Sequence, residues 1–596
     1  MIKKLSRYVG EYKKYAVITP VLVTLEALME IFIPLLMAQL IDRGIDAGNM
    51  GEITKYGGVL LGAAFLAMTF GVLAGKTAPM ASAGFAKNLR QAMYYKVQEF
   101  SFANIDKFST GSIVTRLTTD VTNVQQAFQM IIRITVRAPG MLIFALIAAF
   151  SVNHRLSLVF LAVLPVLGLG MFSIINKVYP LFNKIFRTYD KLNNVVQENL
   201  YAVRVVKSFN RQEHENEKFG KVSGTIYKDF SKAEKTMSFV MPLMQACMYT
   251  CMLLISWIGA RMIVAGGNDA AMGLTTGQLM SMITYTMQIL MSLMMISMIF
   301  AMMTMAKASG ERIVELLDEE SEIVNPENPV MEVRDGSIDF VNTGFRYSSK
   351  SDEEGSASDG DSAAKKVLEG INLHIASGMT VGIIGATGSS KSSLVQLIPR
   401  LYDVSEGAVK VGGVDVRDYD IETLRNQVAM VLQKNVLFSG TIKENLRWGS
   451  EHATDEEMRH ACKVACADEF IEKFEDGYDT YIEQGGTNVS GGQKQRLCIA
   501  RALLKKPKIL ILDDSTSAVD MKTDAMIRRA FADELPDTTK IIIAQRISSV
   551  QDSDMIIVMD DGHVADCGTH VELMEKSEIY REVYESQNRK GGEGLE

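Results

Sequence analysis

Six long apolar stretches in the first half of the 596-residue chain constrain its fold more than any other feature. A helix needs roughly 20 mostly apolar residues to cross the hydrocarbon core of a bilayer. The stretches that meet this requirement are Val17–Leu40, Tyr56–Pro79, Ile131–Phe150, Leu156–Ile175, Phe239–Val264 and Leu279–Met305. The sequence therefore predicts an all-α membrane domain of six helices.

Charges and gaps around these stretches predict their orientation. Lysines and arginines precede the first stretch (Lys3, Lys4, Arg7, Lys13 and Lys14), which places the N-terminus in the cytoplasm by the positive-inside rule. The segments 80–130 and 176–238 are long, charged and compatible with helix. Spans two to five are therefore expected to continue into the cytoplasm, with tips near 101–111 and 205–215.

Two carboxylates, Glu26 and Glu30, lie one helical turn apart inside the first span. A central charge in the membrane costs at least ~2.5–3.5 kcal/mol, so both are expected to face a cavity or a partner rather than lipid. They either bind a ligand or make structural hydrogen bonds. The sixth span is rich in methionine, which indicates either an adaptable binding surface or helix packing.

The charge and cysteine patterns exclude other classes. A net charge of −8 leaves no basic surplus for nucleic acid. The six cysteines form no CxxC pair and have no histidines at zinc spacing, so they are expected to be small buried hydrophobes in a reducing cytosol.

A phosphate-binding loop opens the second half. The apolar strand Val381–Ile384 leads into Gly-Ala-Thr-Gly-Ser-Ser-Lys-Ser and then a helix, which is a Walker A motif in its proper setting. Backbone N–H groups of such a loop wrap phosphates, Lys391 reaches the β- and γ-phosphates, and Ser392 can bind Mg²⁺. Serine replaces the usual glycine at position 390. The nucleotide-binding residues are expected to be Gly385, Thr387, Gly388, Ser389, Ser390, Lys391, Ser392 and Ser393.

A second strand, Ile509–Leu512, ends at Asp513 and forms a Walker B motif. The Asp513 carboxylate can hold Mg²⁺ through its waters. Together and in this order, the two motifs predict an α/β P-loop nucleotide-binding domain that uses ATP and Mg.

The sequence Asn488-Val-Ser-Gly-Gly-Gln-Lys-Gln-Arg496 resembles the ABC signature, and the chain as a whole resembles an ABC exporter half-transporter of the multidrug type. Glycines before a helix expose N–H groups to the γ-phosphate of an ATP held by another subunit. The resemblance therefore implies that the partner's ATP is contacted by Ser490, Gly491, Gly492, Gln493 and Asp520.

Further residues take roles from the same resemblance. Gln433 resembles the Q-loop glutamine, with a role in catalysis and at Mg, and Ser517–Asp520 resembles the D-loop. Tyr347 is placed to stack on adenine. The region of Gly111, Arg116 and Asp120, and the sequence Val205–Phe209, resemble the intracellular loops of ABC exporters.

Two substitutions depart from the family pattern. Asp514 stands where the family has the glutamate that polarises the attacking water, and the shorter side chain retracts the carboxylate by ~1.5 Å. Gln545 stands where the family has its switch histidine, and an amide cannot accept and return a proton as imidazole can. The pair predicts slow or absent hydrolysis of ATP held by this chain's own Walker motifs.

An intact signature beside impaired catalytic residues resembles the degenerate-site subunit of a bacterial heterodimeric exporter. This implies a second, different half-transporter as partner. A homodimer that hydrolyses weakly at both sites is the alternative.

The cargo is less constrained. Glu26, Glu30 and the methionine-rich span favour export of small amphiphilic, drug-like compounds. A lipid or lipid-linked precursor flippase is the second reading, with peptide export third, and an ATP-gated channel or regulatory ATP-binding subunit belongs to another class.

The expected location is the cell membrane, in contact with lipid and with the ATP-binding domain in the cytoplasm. The predicted organisation is a membrane domain (1–316), a linker (317–336), a nucleotide-binding domain (337–585) with an acidic, serine-rich insertion (348–366), and a tail (586–596).

Overall fold

A computed structural model describes residues 1–269, 273–347, 366–515 and 519–592. The chain divides into two compact units. The first comprises Met1–Gln98 and Gly111–Asp318, and the second comprises Glu99–Thr110 and Glu319–Glu596. Apart from Lys366, the predicted insertion lies outside the described residues.

The first unit is built from helices. They are α1 (Ile2–Leu5), α2 (Lys13–Leu40), α3 (Met50–Gln98), α5 (Thr110–Thr115), α6 (Val121–Val152), α7 (His154–Tyr201), α8 (Val203–Ser208), α9 (Gln212–Met237), α10 (Val240–Gly266) and α11 (Thr276–Asp318), with α4 (Phe102–Phe108) falling in the second unit. Among the described residues, six helical segments are long and apolar enough to cross a membrane. The prediction of six spans is confirmed.

Local sequence explains where several of these helices begin and end. The Asn153 side chain accepts from the N–H groups of Arg155 and Leu156, both at 3.1 Å, and so caps the first turn of α7. Helix α10 ends at Gly266 and is capped by Gly267, whose φ of +64° suits a residue without a Cβ.

Helices α3 and α7 are much longer than a membrane requires. They contain 49 and 48 residues. At about 1.5 Å per residue each extends roughly 70 Å, more than twice the hydrocarbon thickness of about 30 Å. Short helices α4 and α8 lie where the sequence predicts the cytoplasmic tips.

Proline in α2 explains a contact with α11. Pro34 has no N–H to donate to the Glu30 carbonyl, and the Gln288 side chain of α11 donates to that carbonyl at 3.5 Å. The fully buried Tyr285 donates its hydroxyl to the Ile31 carbonyl at 2.9 Å. Side chains of α11 thus satisfy α2 backbone groups that water cannot reach in a membrane.

The second unit is organised around two larger sheets. Its strands are β1 (Ile338–Phe345), β2 (Leu368–Ile375), β3 (Thr380–Gly385), β4 (Glu406–Val411), β5 (Val414–Asp415), β6 (Val428–Val431), β7 (Gly440–Thr441), β8 (Tyr481–Ile482), β9 (Ile509–Asp513), β10 (Thr539–Ile543), β11 (Met555–Asp560) and β12 (His563–Gly568). One sheet has the order β12-β11-β3-β10-β9-β6 and is parallel except for its β12 edge. The other is antiparallel, with the order β2-β1-β4-β5, and β7 pairs with β8.

Helices pack around these sheets. They are α12 (Lys391–Gln396), α13 (Ile421–Gln427), α14 (Ile442–Arg447), α15 (Asp455–Val464), α16 (Asp468–Ile471), α17 (Gly491–Leu503), α18 (Met521–Glu534), α19 (His570–Lys576) and α20 (Glu578–Gly592). Strands β3, β9 and β10 are buried on both faces, as expected for the centre of a parallel sheet. The six-helix and α/β fold classes predicted from the sequence are confirmed.

Residues 319–336, most of the stretch predicted as a linker, belong to the second unit. Val333 is buried, and the Lys508 ammonium donates to the Arg334 carbonyl at 2.9 Å. Helix α20 also continues through part of the predicted tail, as far as Gly592.

Candidate functional site

The Walker A loop leaves the carboxyl end of the central strand β3. Its first glycine, Gly385, is required by packing, since a Cβ there would lie 2.3 Å from the Met559 carbonyl oxygen. Gly388 has a φ of +89°, and Ser390 has a φ of +71° immediately before α12. The left-handed conformation at position 390 explains why glycine is usual there.

Lys391 lies inside the loop. Its ammonium donates to the carbonyls of Gly385 at 2.9 Å and Ala386 at 2.8 Å, and to the Ser389 hydroxyl at 3.2 Å. Burial lowers the pKa of the Lys391 ammonium, while the carboxylates of Asp513 and Asp514 act in the opposite direction. The ammonium is thus held inside the loop by two backbone carbonyls and a hydroxyl.

Walker A and Walker B meet at one hydrogen bond. The Ser392 hydroxyl donates to Oδ1 of Asp513 at 2.9 Å. Burial raises the pKa of the Asp513 carboxyl, against this hydrogen bond, which lowers it. A hydroxyl and a carboxylate oxygen are hard ligands that fit Mg²⁺, and a bound Mg²⁺ would neutralise phosphate charge at this point.

Asp514 directly contacts the other substituted residue. Gln545 donates its side-chain amide to Oδ2 of Asp514 at 2.7 Å, and Gln433 also hydrogen-bonds to this carboxylate. Burial raises the pKa of Asp514, and the two amide hydrogen bonds lower it. The structure therefore brings together three residues that the sequence places 81 and 31 positions apart, with one oxygen of the carboxylate already held by Gln545.

Tyr347 lies beside α12. Its hydroxyl is 2.9 Å from that of Ser393, and the residue is 38% exposed. Stacking of a base on its ring stays a prediction. The ring also packs edge-on against Tyr402, with centroids 5.3 Å apart. Thr387 belongs to the same loop and is exposed.

The signature residues cap helix α17. The Ser490 hydroxyl accepts from the Gln493 N–H at 3.3 Å, and the Gln493 side chain accepts from the Ser490 N–H at 2.9 Å. This capping box fixes the first turn, where Gly491 is exposed and Gly492 is half-buried. The positive end of the helix therefore faces outward through small residues, a geometry that suits a phosphate carried by another subunit.

The D-loop is described only in part. Residues 516–518, including Ser517, lie outside the described residues. Asp520 caps α18 by accepting from the Thr523 N–H at 3.0 Å.

The intramembrane carboxylates are paired, which the sequence did not reveal. Arg137 of α6 donates to Glu26 at 2.7 Å and to both oxygens of Glu30 at 2.7 and 2.9 Å. Gly71 of α3 makes room, because a Cβ there would lie 3.0 Å from Glu26 Oε1. The sequence did contain one indication of this pairing, because Arg137 lies inside the third apolar stretch. Opposite charges within membrane spans are expected to pair with one another.

A helix that the sequence left without a role contacts the nucleotide site. The Gln587 amide of α20 donates to the Gln545 carbonyl at 2.7 Å. No motif marks this residue, so sequence reasoning missed it.

Comparisons with known proteins identify ABC transporter sequences in both halves of the chain. Residues 17–293 match the family model described as "ABC transporter transmembrane region", and residues 368–517 match the model described as "ABC transporter". The "Uncharacterized ABC transporter ATP-binding protein YfiB" of Bacillus subtilis is 36% identical over 99% of this chain and 100% of that protein. An "ATP-dependent lipid A-core flippase" of Desulfotalea psychrophila is 30% identical over 84% of both chains.

A solved structure has the same fold. The "Structure of a bacterial Atm1-family ABC exporter with ATP bound" matches with a TM-score of 0.77 and 23% identity over 97% of this chain and 99% of that chain.

Proposed function

Because the chain belongs to the ABC transporter family, as an ATP-hydrolysing exporter with six membrane helices and a cytoplasmic ATP-binding domain, we propose that it exports amphiphilic, drug-like compounds as one subunit of a heterodimer. In this proposal its own Walker site binds ATP with Mg²⁺ and hydrolyses it slowly. Slow hydrolysis is inferred from the substituted pair at that site, Asp514 and Gln545.

The hydrogen bond between Gln545 and Asp514 is the main observation. A positioned general base typically contributes ~10²–10⁴-fold to a rate. Here the shortened carboxylate is held by an amide that cannot take part in proton transfer. The residues that hold nucleotide, by contrast, have the geometry of a functional loop, with Lys391 inside it and Ser392 on Asp513.

The capped signature helix supports the second half of the proposal. Ser490 and Gln493 fix the α17 N-terminus although the chain's own catalytic pair is altered. An ordered signature is useful only to an ATP held by another subunit. A second copy of this chain would bring the same altered pair to that signature, so we propose a different partner that supplies the glutamate and the histidine.

The cargo proposal rests on the membrane unit. The carboxylates of Glu26 and Glu30 both pair with the single guanidinium of Arg137. Glu26 Oε2 is buried without a hydrogen-bond partner among the described residues. A separate cavity of about 760 Å³ in the same unit is lined by apolar side chains that include Phe85, Phe128 and Met303. A cavity of this size suits a drug-sized amphiphile. Glu26 and Glu30 do not line it, and Lys307 does, so the two carboxylates are a separate reason to propose a cationic cargo.

A lipid flippase is the second candidate, because one relative carries that name. ATPase activity stimulated by lipid and indifferent to cationic drugs would favour it. A nucleotide-gated channel or regulatory subunit would be excluded by steady ATP turnover with uphill transport in the assembled complex.

The deciding experiment is ATPase activity and ATP affinity measured on this chain alone in lipid, with Lys391→Ala as control. Tight binding with negligible turnover is the expected result. Turnover at ordinary exporter rates that Lys391→Ala abolishes would contradict the impaired-site proposal.

A further inference from the structure

The C-terminal helix α20 holds the loop that carries Gln545. The Gln587 side chain donates to the Gln545 carbonyl at 2.7 Å and accepts from the Ile547 N–H at 2.9 Å. Glutamine and asparagine are the side chains that offer an amide donor and a carbonyl acceptor together. Both ends of the Gln587 amide are therefore used on the backbone of residues 545–547.

Helix α20 gives Gln587 a fixed base. Tyr580 is fully buried, and its hydroxyl is 2.7 Å from Nδ1 of His570. Val583 and Tyr584 pack against the same hydrophobic core. These residues and Gln587 recur at intervals of three and four, so they share one face of the helix.

The held loop leads directly to the ATP site. The residue whose carbonyl Gln587 binds is the one whose side chain reaches Asp514 at 2.7 Å. Gln433 contacts the same carboxylate. A continuous series of hydrogen bonds thus joins α20 to the end of Walker B.

We propose that Gln587 is a positioning residue of the ATP site, which fixes residues 545–547 so that the Gln545 amide stays on Asp514 and nucleotide leaves slowly. This inference rests on the proposed function, in which the chain's own site retains ATP.

The test uses the full chain in lipid nanodiscs and measures two quantities. The first is the dissociation rate of a fluorescent ATP analogue. The second, without nucleotide, is hydrogen exchange of the Ile547 amide. The variants are Gln587→Ala, Gln587→Glu, Gln545→Ala and the double variant Gln545→Ala/Gln587→Ala, with the exposed Ser586→Ala as a matched control on the same helix.

The expected result is that Gln587→Ala speeds release by roughly five- to tenfold, since about one net hydrogen-bond contribution is lost. Gln587→Glu keeps the length of the side chain and can still accept from Ile547, but it places an oxygen opposite the Gln545 carbonyl, so it should speed release to a similar degree. Ile547 exchange should accelerate in Gln587→Ala and not in Ser586→Ala. In the Gln545→Ala background, Gln587→Ala should change release less than about twofold, because coupled residues are not additive.

Unchanged release in both Gln587 variants would overturn the inference. So would a full acceleration that persists in the Gln545→Ala background, since Gln587 would then act only through the fold. Rapid hydrolysis by the unmodified chain would instead contradict the proposed function, and Ile547 exchange would still decide whether Gln587 holds the loop.

Discussion

Gln545 and Asp514 are hydrogen-bonded to each other, with 2.7 Å between the amide nitrogen and Oδ2 of the carboxylate. The two departures from the family pattern are therefore one structural unit. Asp514 has a φ of +49°, a left-handed conformation that aspartate tolerates better than most residues. Reverting one residue alone therefore changes the contact that holds the other, while Gln433 still hydrogen-bonds to Asp514.

Restoring both residues should restore hydrolysis. We expect Asp514→Glu with Gln545→His to raise ATP turnover by ~10²-fold or more, since the pair regains a longer carboxylate and a group that can exchange a proton. Each single variant should gain much less. Phosphate release in nanodiscs measures this, and adding Lys391→Ala should remove the gain. A double variant no faster than the unmodified chain would show that something other than these residues limits hydrolysis.

Ser390 gives a prediction of stability. Its φ of +71° costs an L-residue roughly 1–2 kcal/mol relative to glycine, and the greater freedom of glycine in the unfolded chain offsets part of that. We expect Ser390→Gly to stabilise the nucleotide-binding unit by about 0.5–1 kcal/mol. Thermal unfolding of the full chain in detergent measures the change.

The same substitution elsewhere is the control for Ser390. Ser586 is exposed in helix α20, so Ser586→Gly should destabilise by about 0.5 kcal/mol. If Ser390→Gly and Ser586→Gly changed stability in the same direction, backbone conformation at position 390 would not explain the effect.

The membrane spans and the nucleotide loop were predictable because their signals are local. Span length follows from bilayer thickness, and Gly385 to Ser392 fold between one strand and the helix that follows it. The ion pair of Arg137 with Glu26 joins residues 111 positions apart, and the Gln587 contact with Gln545 joins residues 42 apart. Such contacts depend on how helices and loops pack, which one sequence does not specify.

Arg137 should be required for the stability of the membrane unit. Arg137→Gln leaves Glu26 and Glu30 close together without a cation, and breaking a buried pair on one side typically costs roughly 3–5 kcal/mol. The value should fall at the lower end because the Arg137 side chain is 27% exposed. Thermal unfolding in detergent should show a clear decrease in melting temperature.

Two further variants test this explanation. Combining Arg137→Gln with Glu30→Gln should recover part of the loss, since fewer charges remain unpaired. Lys76→Gln, which removes an exposed cation of the second span, should have little effect. If Lys76→Gln lowered the melting temperature as much as Arg137→Gln does, total charge rather than the ion pair would determine stability.

Tyr402 should affect the coupling of ATP use to transport. Its hydroxyl donates to Asp106 of α4 at 2.6 Å, and its ring packs against Tyr347, which is predicted to stack on adenine. Tyr402→Phe removes the hydroxyl and keeps the ring. Asp106 is exposed to solvent, so the hydrogen bond contributes about 0.5–1.5 kcal/mol. Transport per ATP hydrolysed should therefore fall by roughly two- to tenfold while ATP affinity stays within twofold. Asp106→Asn should give a smaller loss, and the two changes should not be additive.

Tyr419→Phe is the matched control, because the Tyr419 hydroxyl donates to the Val411 carbonyl at 2.8 Å inside the domain. It should lower stability and leave the transport ratio unchanged. Reduced ATP affinity in Tyr402→Phe with an unchanged transport ratio would place the tyrosine in nucleotide binding instead of coupling.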